Sequence, residues 1–325
     1  MNILVTGGAG YIGSHVVRLL RERGEQLVIV DDLISGIADR VLGIPLVQMD
    51  LADSAVADEL DAVFREHDIH AVIHFAARKQ VNESVERPLW YFQQNLGSLA
   101  NILAAMERAQ ITSFVFSSSA AVYGMSEGST LDELTPSMPI NPYGETKLVG
   151  EWLVADAVIS QGLRAASLRY FNVAGAGWPE LGDTAVMNLV PMVFDKLDQG
   201  LAPIIFGGDY DTRDGSCIRD YVHVLDLAEA HLVTLDSLLE GEPRHHVYNV
   251  GTGVGASVKE MVTAIIEVSG IAIEPEIRDR RAGDPAAVVA DPSLIAKEIG
   301  WTARRGLIEI VESAWEARLF LRGKG

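Results

Sequence analysis

Cysteine is almost missing from this chain: Cys217 stands alone. No internal disulfide can form, which sets aside the small disulfide-stapled secreted scaffolds. It points instead to a reducing compartment, with the thiol expected to be inert. Cations are scarce too. Against 45 aspartates and glutamates stand 26 lysines and arginines, a formal net charge of −19. Nucleic-acid binding demands a basic face, so that class is disfavoured, and an anionic ligand would need specific arginines to hold it against the overall field. Long apolar runs are also absent, so no segment reads as membrane-spanning. The opening stretch MNILVTGGAG has neither the basic start nor the small-residue cleavage site of a signal peptide, and a cytoplasmic location is expected. No metal site is expected.

Hydrophobic residues are plentiful, 48% of 325, enough for a sizeable core in one large domain or two smaller ones. Apolar runs rich in β-branched residues recur at 3–6, 26–30, 45–48, 71–75, 113–117 and 164–168. Helical stretches at 12–23, 55–66, 88–109 and 142–161 lie between most of them. This alternation predicts an α/β fold with a Rossmann-type doubly wound parallel sheet and right-handed crossovers. The runs are continuous rather than alternating, as strands covered on both faces require. After about Tyr170 the pattern loosens into a Gly/Pro-bearing loop, a helix around 189–200, the turn-rich FGGDYDTRDGSC, a helix near 224–240 and a strand at 246–250. The expected division is a dinucleotide-binding domain over 1–172 and a smaller α+β substrate-binding lobe over 173–325, with segments such as 246–251 returning to the first.

VTGGAGYIGSH joins the first strand to the first helix. Its Gly7, Gly10 and Gly13 allow backbone N–H groups to approach a pyrophosphate at the helix N-terminus and let helix pack closely on strand. The strand–turn–helix context is the one that gives such a run meaning. The second strand ends in VIVDDL, where Asp31 falls at the place of an acid that bonds the adenosine ribose. A carboxylate there repels a 2′-phosphate, which favours NAD over NADP. Asp50 after the third strand, and Phe75, Ala76 and Lys79 after the fourth, sit at the same carboxyl edge. In NPYGETK, proline at the first helical position would start a helix with Tyr143 and Lys147 one turn apart on one face. A lysine ammonium there would favour the phenolate and make Tyr143 a general base; the bland alternative is a helix start with a half-buried tyrosine and a solvated lysine.

FVFSSSAAVYG, NPYGETK, VTGGAGYIGSH and RYFNVAGA together resemble the extended short-chain dehydrogenase/reductase superfamily. VIHFAARKQVNESVERPLWYFQQN, IRDYVHVLDLAEAH and YNVGTGVGASV narrow the likeness to the UDP-glucose (UDP-galactose) 4-epimerases, nearly end to end. The resemblance implies a tightly bound NAD, a UDP-sugar substrate, and interconversion of UDP-galactose and UDP-glucose through a 4-keto sugar. It implies Tyr143 as catalytic base, Lys147 as its electrostatic partner and ribose ligand, and Ser119 on the sugar 4-oxygen. Cofactor contacts are implied at Gly7, Gly10, Tyr11, Ile12, Gly13, Asp31, Asp32, Asp50, Leu51, Phe75, Ala76, Ala77, Lys79, Asn95, Ser117, Tyr143, Lys147 and Tyr170. Substrate contacts are implied at Ser119, Tyr143, Phe171, Asn172, Asn188, Leu189, Arg219, Tyr221, Arg281 and Asp284. For the arginines, surface ion pairs are the alternative: Arg219 with Asp214 or Asp220, and Arg280 and Arg281 beside Asp279 and Asp284. The resemblance also implies a homodimer in which helices 88–109 and 142–161 pair across a two-fold axis as a four-helix bundle.

Related 4,6-dehydratases carry an acid/base pair after the strand-five serine or threonine. Here those positions are Ala120 and Ala121, and alanine moves no proton, so dehydration is disfavoured. Uronate or pentose 4-epimerases and decarboxylases remain as rivals, and a non-catalytic NAD sensor as a different class. In some relatives a bulky tyrosine restricts the pocket to non-acetylated sugars. The matching position here is Val288, which suggests room for UDP-GlcNAc and UDP-GalNAc.

Overall fold

A computed structural model describes residues 1–125, 130–281 and 283–323. In chain order the elements begin with β1 (Asn2–Thr6), α1 (Tyr11–Glu22), β2 (Gln26–Asp31), β3 (Leu46–Gln48), α2 (Ala57–Glu66), β4 (Ala71–His74), α3 (Val81–Glu86), α4 (Pro88–Ala109), β5 (Ser113–Ser119), β6 (Thr130–Leu131), α5 (Pro142–Gln161) and β7 (Arg164–Tyr170). They continue with β8 (Asn172–Ala174), α6 (Leu189–Asp198), β9 (Ile204–Phe206), β10 (Ile218–His223), α7 (Val224–Ser237), β11 (Arg244–Val250), β12 (Gly255–Ser257), α8 (Val258–Ser269), β13 (Glu276–Arg278), β14 (Ala287–Ala290), α9 (Ser293–Ile299) and α10 (Leu307–Arg322). Two compact units result. The first comprises Met1–Gly124, Ser137–Arg169 and Ala228–Tyr248; the second comprises Met125–Pro136, Tyr170–Leu227 and Asn249–Gly325.

A seven-stranded sheet runs in the order β11-β7-β5-β4-β1-β2-β3. β1 lies parallel to both β2 and β4, β3 parallel to β2, and β5 parallel to β4. The order therefore reverses at β1 and β4, the switch point where open α/β sheets leave a crevice outside the carboxyl ends of their strands. Register aligns those ends: Thr6 lies opposite Val30 and His74, and His74 opposite Phe116. The continuous apolar runs are explained by burial, since Leu4, Val28, Val72 and Phe114 join Phe64, Leu99, Ile102 and Val154 of the helices in one core. Each such side chain contributes about 1.5–3 kcal/mol.

Local chemistry sets the helix ends. The Asn141 side chain accepts the Gly144 N–H at 2.9 Å, Pro142 occupies the first helical turn, and α5 closes at Gly162 with φ +71°; these are strong start and stop signals. α2 starts two residues later than the sequence pattern predicts, because Asp53 Oδ1 takes the Ala55 N–H at 2.9 Å and holds a turn there. The pattern passes over α3, which precedes α4, and places the start of α4 at Pro88, where the helix restarts.

In the second unit β10 is the hub. It pairs in parallel with β8 and β14 and antiparallel with β12. Asp220, fully buried on β10, accepts the N–H and Oγ1–H of Thr252 and the N–H groups of Gly253 and Ala290. Desolvation pushes its carboxyl up, and these donors oppose the shift. That one acid accounts for the RDYVHV and YNVGTG segments as packing motifs: it stitches the turn after β11 to β10 and β14. Among the described residues no helix is long and apolar enough to cross a membrane.

Candidate active site

At the end of β1 the chain turns at Gly7, whose φ is +67°. A Cβ there would meet the Ala76 nitrogen at 2.7 Å, and one at Gly13 would meet the Gly7 carbonyl oxygen at 2.4 Å. Only glycine allows both the left-handed turn and this close approach. Gly10 caps α1 without a side-chain hydrogen bond, and a helix start of this kind suits an anion at the first turn, Tyr11, Ile12 and Gly13. These residues fit the pyrophosphate of a dinucleotide. Asp31 closes the turn from beside: its Oδ2 accepts the Ala9 N–H at 3.0 Å and its Oδ1 the Leu33 N–H at 2.9 Å. Burial pushes this carboxyl up and the two N–H groups pull it back. Asp31 thus fastens the glycine turn to the end of β2, and each oxygen keeps a second lone pair for a ribose hydroxyl.

The other expected cofactor positions divide. Phe75, Ala76 and Ala77 line the exit of β4, half-buried, and the Phe75 ring lies 4.7 Å from that of His231. Lys79 and Asp50 are exposed, while Leu51 is buried. Asn95 is occupied by structure: it accepts the Arg78 N–H at 2.7 Å and donates to the Arg78 carbonyl and to Thr146 Oγ1. The Asp32 carboxylate pairs with Arg78.

β5 and α5 assemble the chemistry. Ser119, the last residue of β5, accepts the Ala121 N–H through Oγ and caps the helical turn Ala120–Tyr123. α5 crosses that turn at Gly144, where a Cβ would meet the Ala121 carbonyl oxygen at 2.6 Å. This close approach brings Tyr143 to Ser119. Burial pushes the Tyr143 phenol up, and hydrogen bonding to Ser119 draws it down. Lys147 is buried, with Nζ donating to the Ser117 carbonyl at 2.8 Å and lying 5.9 Å from the Tyr143 ring centre. Burial pulls its ammonium down to about 8, and the Glu151 carboxylate raises it. The sequence expectation of a lysine-lowered phenol is not met: burial sets the direction of the Tyr143 shift upward, and the group that opposes it is Ser119, not Lys147.

Sequence reasoning passed over the support behind this face. Ser118 Oγ donates to Glu151 Oε1, and Arg169 grips Glu151 with Nε at 2.9 Å and Nη2 at 2.6 Å. Arg169 also lies over the Tyr123 ring. All three polar side chains are buried. A signal was present: Tyr143, Lys147 and Glu151 recur every four residues along one helix face. On β4, burial and then the Lys147 charge hold His74 neutral, down to about 3, with Nδ1 at 2.7 Å from Thr6 Oγ1.

The second unit holds the expected substrate residues other than Ser119 and Tyr143. Arg219 and Asp284 are brought together at 3.0 Å, and Arg219 also donates to the Pro285 and Ile218 carbonyls. Its partner is therefore neither Asp214 nor Asp220. Arg281 lies over the Phe206 ring at 3.8 Å, whereas Arg280 pairs with Asp209. Tyr221 and Asn172 are register partners, and Arg219 faces Val288 across β10 and β14. Asn188 is exposed and donates to Asp183 just before Leu189 opens α6. Tyr170 ends β7 and Phe171 follows it, its N–H donating to the Val250 carbonyl.

The NAD dependent epimerase/dehydratase family matches residues 3–251. A UDP-glucose 4-epimerase of Azospirillum brasilense is 44% identical over 98% of this chain and 92% of its own. The crystal structure of the Stenotrophomonas maltophila UDP-glucose-4-epimerase, with NAD and formylated UDP-arabinopyranose bound, is 40% identical with TM-score 0.93 over 99% of both chains. A UDP-Glc/GlcNAc 4-epimerase of Campylobacter jejuni is 36% identical with TM-score 0.85, over 98% of this chain and 99% of that one.

The Lys147 shift has a measurable consequence. Its folded value lies below the unfolded one, so between about pH 8 and pH 10.5 the unfolded chain holds the proton that the folded chain has released. Stability from this group therefore rises with pH across that window. Comparing urea unfolding of the native protein and Lys147→Met at pH 8 and pH 10, the native protein should gain roughly 2 kcal/mol relative to the variant. A constant difference would show that Lys147 titrates alike in both states.

Proposed function

We propose the following reaction for this chain, which belongs to the NAD dependent epimerase/dehydratase family: inversion at C4 of UDP-galactose and UDP-glucose through a 4-keto sugar. The observation that carries it is the meeting of Ser119, Tyr143 and Lys147 at the carboxyl edge of the sheet whose switch point bears the glycine turn. Bound NAD would supply the reversible hydride acceptor that inversion at C4 requires. The first-turn N–H groups of α1 would hold its pyrophosphate, with Asp31 at the adenosine ribose and Lys147 at the nicotinamide ribose. Tyr143 removes the 4-OH proton and gives it back. Ser119 hydrogen-bonds the 4-oxygen and stabilises the phenolate. Within the second unit, Arg219 and Arg281 are the cations suited to a diphosphate, and Asn172, Tyr221 and Asp284 the polar groups suited to nucleoside and sugar. Ala120 and Ala121, in the turn that Ser119 caps, offer no second acid/base pair, which argues against dehydration.

Purified protein mixed with UDP-galactose, without added NAD, should yield a UDP-glucose/UDP-galactose mixture by NMR of the anomeric protons. Tyr143→Phe should lose a factor of about 100 or more while keeping its cofactor. No conversion even with NAD supplied would reject the reading.

N-acetylated sugars are a second substrate class in this proposal. Val288, half-buried and opposite Arg219, offers less bulk than tyrosine, and the Campylobacter jejuni neighbour is named for both sugar types. Wild-type protein should turn over UDP-GlcNAc, and Val288→Tyr should lose that activity while retaining UDP-galactose turnover. Undetectable UDP-GlcNAc turnover at high enzyme concentration would sink the idea.

The quaternary proposal is a homodimer through α4 and α5. These helices pack on each other, yet Leu89 is 79%, Trp152 57% and Ile159 85% exposed, apolar area that suits a covered face. Light scattering after gel filtration should give a dimer for the native chain and a monomer for Trp152→Glu combined with Ile159→Glu. A native monomer at micromolar concentration would contradict it.

A further inference from the structure

Arg78 has no part in the chemistry above, yet its side chain is held through both Nε and Nη2. Nε donates to Gln94 Oε1 at 3.0 Å, and Nη2 donates to the same oxygen at 2.7 Å and to Asp32 Oδ2 at 2.5 Å. The guanidinium also lies 5.3 Å from the Trp90 ring centre. The Arg78–Asp32 pair is largely shielded, with side chains 12% and 22% exposed. Both ends are anchored. Asn95 on α4 clamps the Arg78 backbone through its N–H and carbonyl. On the other side, Asp32 Oδ1 accepts the Ile34 N–H at 2.9 Å and holds the loop after β2.

The position of this pair in the sheet gives it meaning. Asp32 follows β2 and Arg78 follows β4, and β1 lies between those strands and runs into the glycine turn. The ion pair therefore bridges the two flanks of that turn. A dinucleotide with its adenosine at the end of β2 and its nicotinamide beside Tyr143 has to cross β1 between the same two flanks. We propose that Arg78 is a positioning residue for cofactor retention: paired with Asp32, it straps the mouth of the glycine turn and must open before NAD leaves. This rests on the NAD-dependent reading given above. The geometry suits a catalyst that regenerates its cofactor in every cycle, for which release is a loss rather than a step.

The test follows radiolabelled NAD leaving loaded protein on dilution into excess unlabelled NAD. Wild-type release should be slow and should quicken with salt, since the strap is an ion pair. Arg78→Met should release NAD about tenfold to a hundredfold faster, with little salt dependence. Arg78→Lys should fall between, keeping the charge without the fork that spans Asp32 and Gln94. Asp32→Asn should also speed release, and the double variant should be no faster than the faster single one, because the two residues act as one element. If Arg78→Met proved unstable on thermal melting, Asp32→Asn and its salt dependence would carry the test. Unchanged release in both single variants, or effects that multiply in the double variant, would overturn the strap. Failure of wild-type protein to load NAD at all would remove the cofactor reading itself.

Discussion

A buried ammonium needs a carboxylate within reach, and Glu151 supplies it to Lys147. Taking a lysine out of water disfavours its charge, and the pull of Glu151 opposes that cost. Glu151 in turn would be costly alone, and Arg169 and Ser118 satisfy it. The chain of partners fixes the rotation of α5 against β5 and β7, because Glu151 reaches its partners only when the Tyr143–Lys147 face is turned to the sheet. Helix orientation and site geometry are therefore one constraint. A buried network of this kind is weak evidence for stability but a strong determinant of arrangement, since removing one member strands the others.

The parallel sheet contributes in a different way. Its register aligns strand ends, so loops distant in sequence open on one edge. The glycine turn, the acids after β2, the exit of β4 and Ser119 at the end of β5 gather there without any special device. Side chains then do the finer work. Asp31 ties the turn to β2, Asn95 ties the exit of β4 to α4 and α5, and Arg78 links the loops that flank β1. The second unit follows the same logic around one acid: Asp220 gathers four donors from the Thr252–Gly253 turn and β14. Asp226 repeats it nearby, accepting the Arg304 and Arg305 N–H groups and pairing with the Arg305 guanidinium.

The first sheet was legible from sequence because strands covered on both faces read as unbroken apolar runs, and because Gly7, Asn141, Pro142 and Gly162 act on their immediate neighbours. Tyr143 and Lys147 were legible as one helix face through their spacing, and as chemistry only through the resemblance. The short strands of the second unit were not: β8, β9, β12 and β13 have three residues each, too few to show a period. Roles of charged residues were also hidden. Nothing local distinguishes Arg219, held by Asp284, from Arg280, held by Asp209, and Asn95 reads equally as a ligand contact or as the backbone clamp it is in the structure.

The amino-acid sequence by itself determined the α/β class, the glycine turn, the helix start that presents Tyr143 and Lys147 together, and an acidic chain ill-suited to nucleic acid. These depend on φ preference, capping and hydrophobic period, which act within a turn or a strand. Tertiary structure alone decided which charges are buried and who neutralises them: Glu151 with Arg169, Asp32 with Arg78, Asp220 with the Thr252–Gly253 turn. Those partners lie 18, 46 and 32–33 residues apart. The cost of desolvating a charge is set by the packing around it, and no property of the local sequence contains that packing.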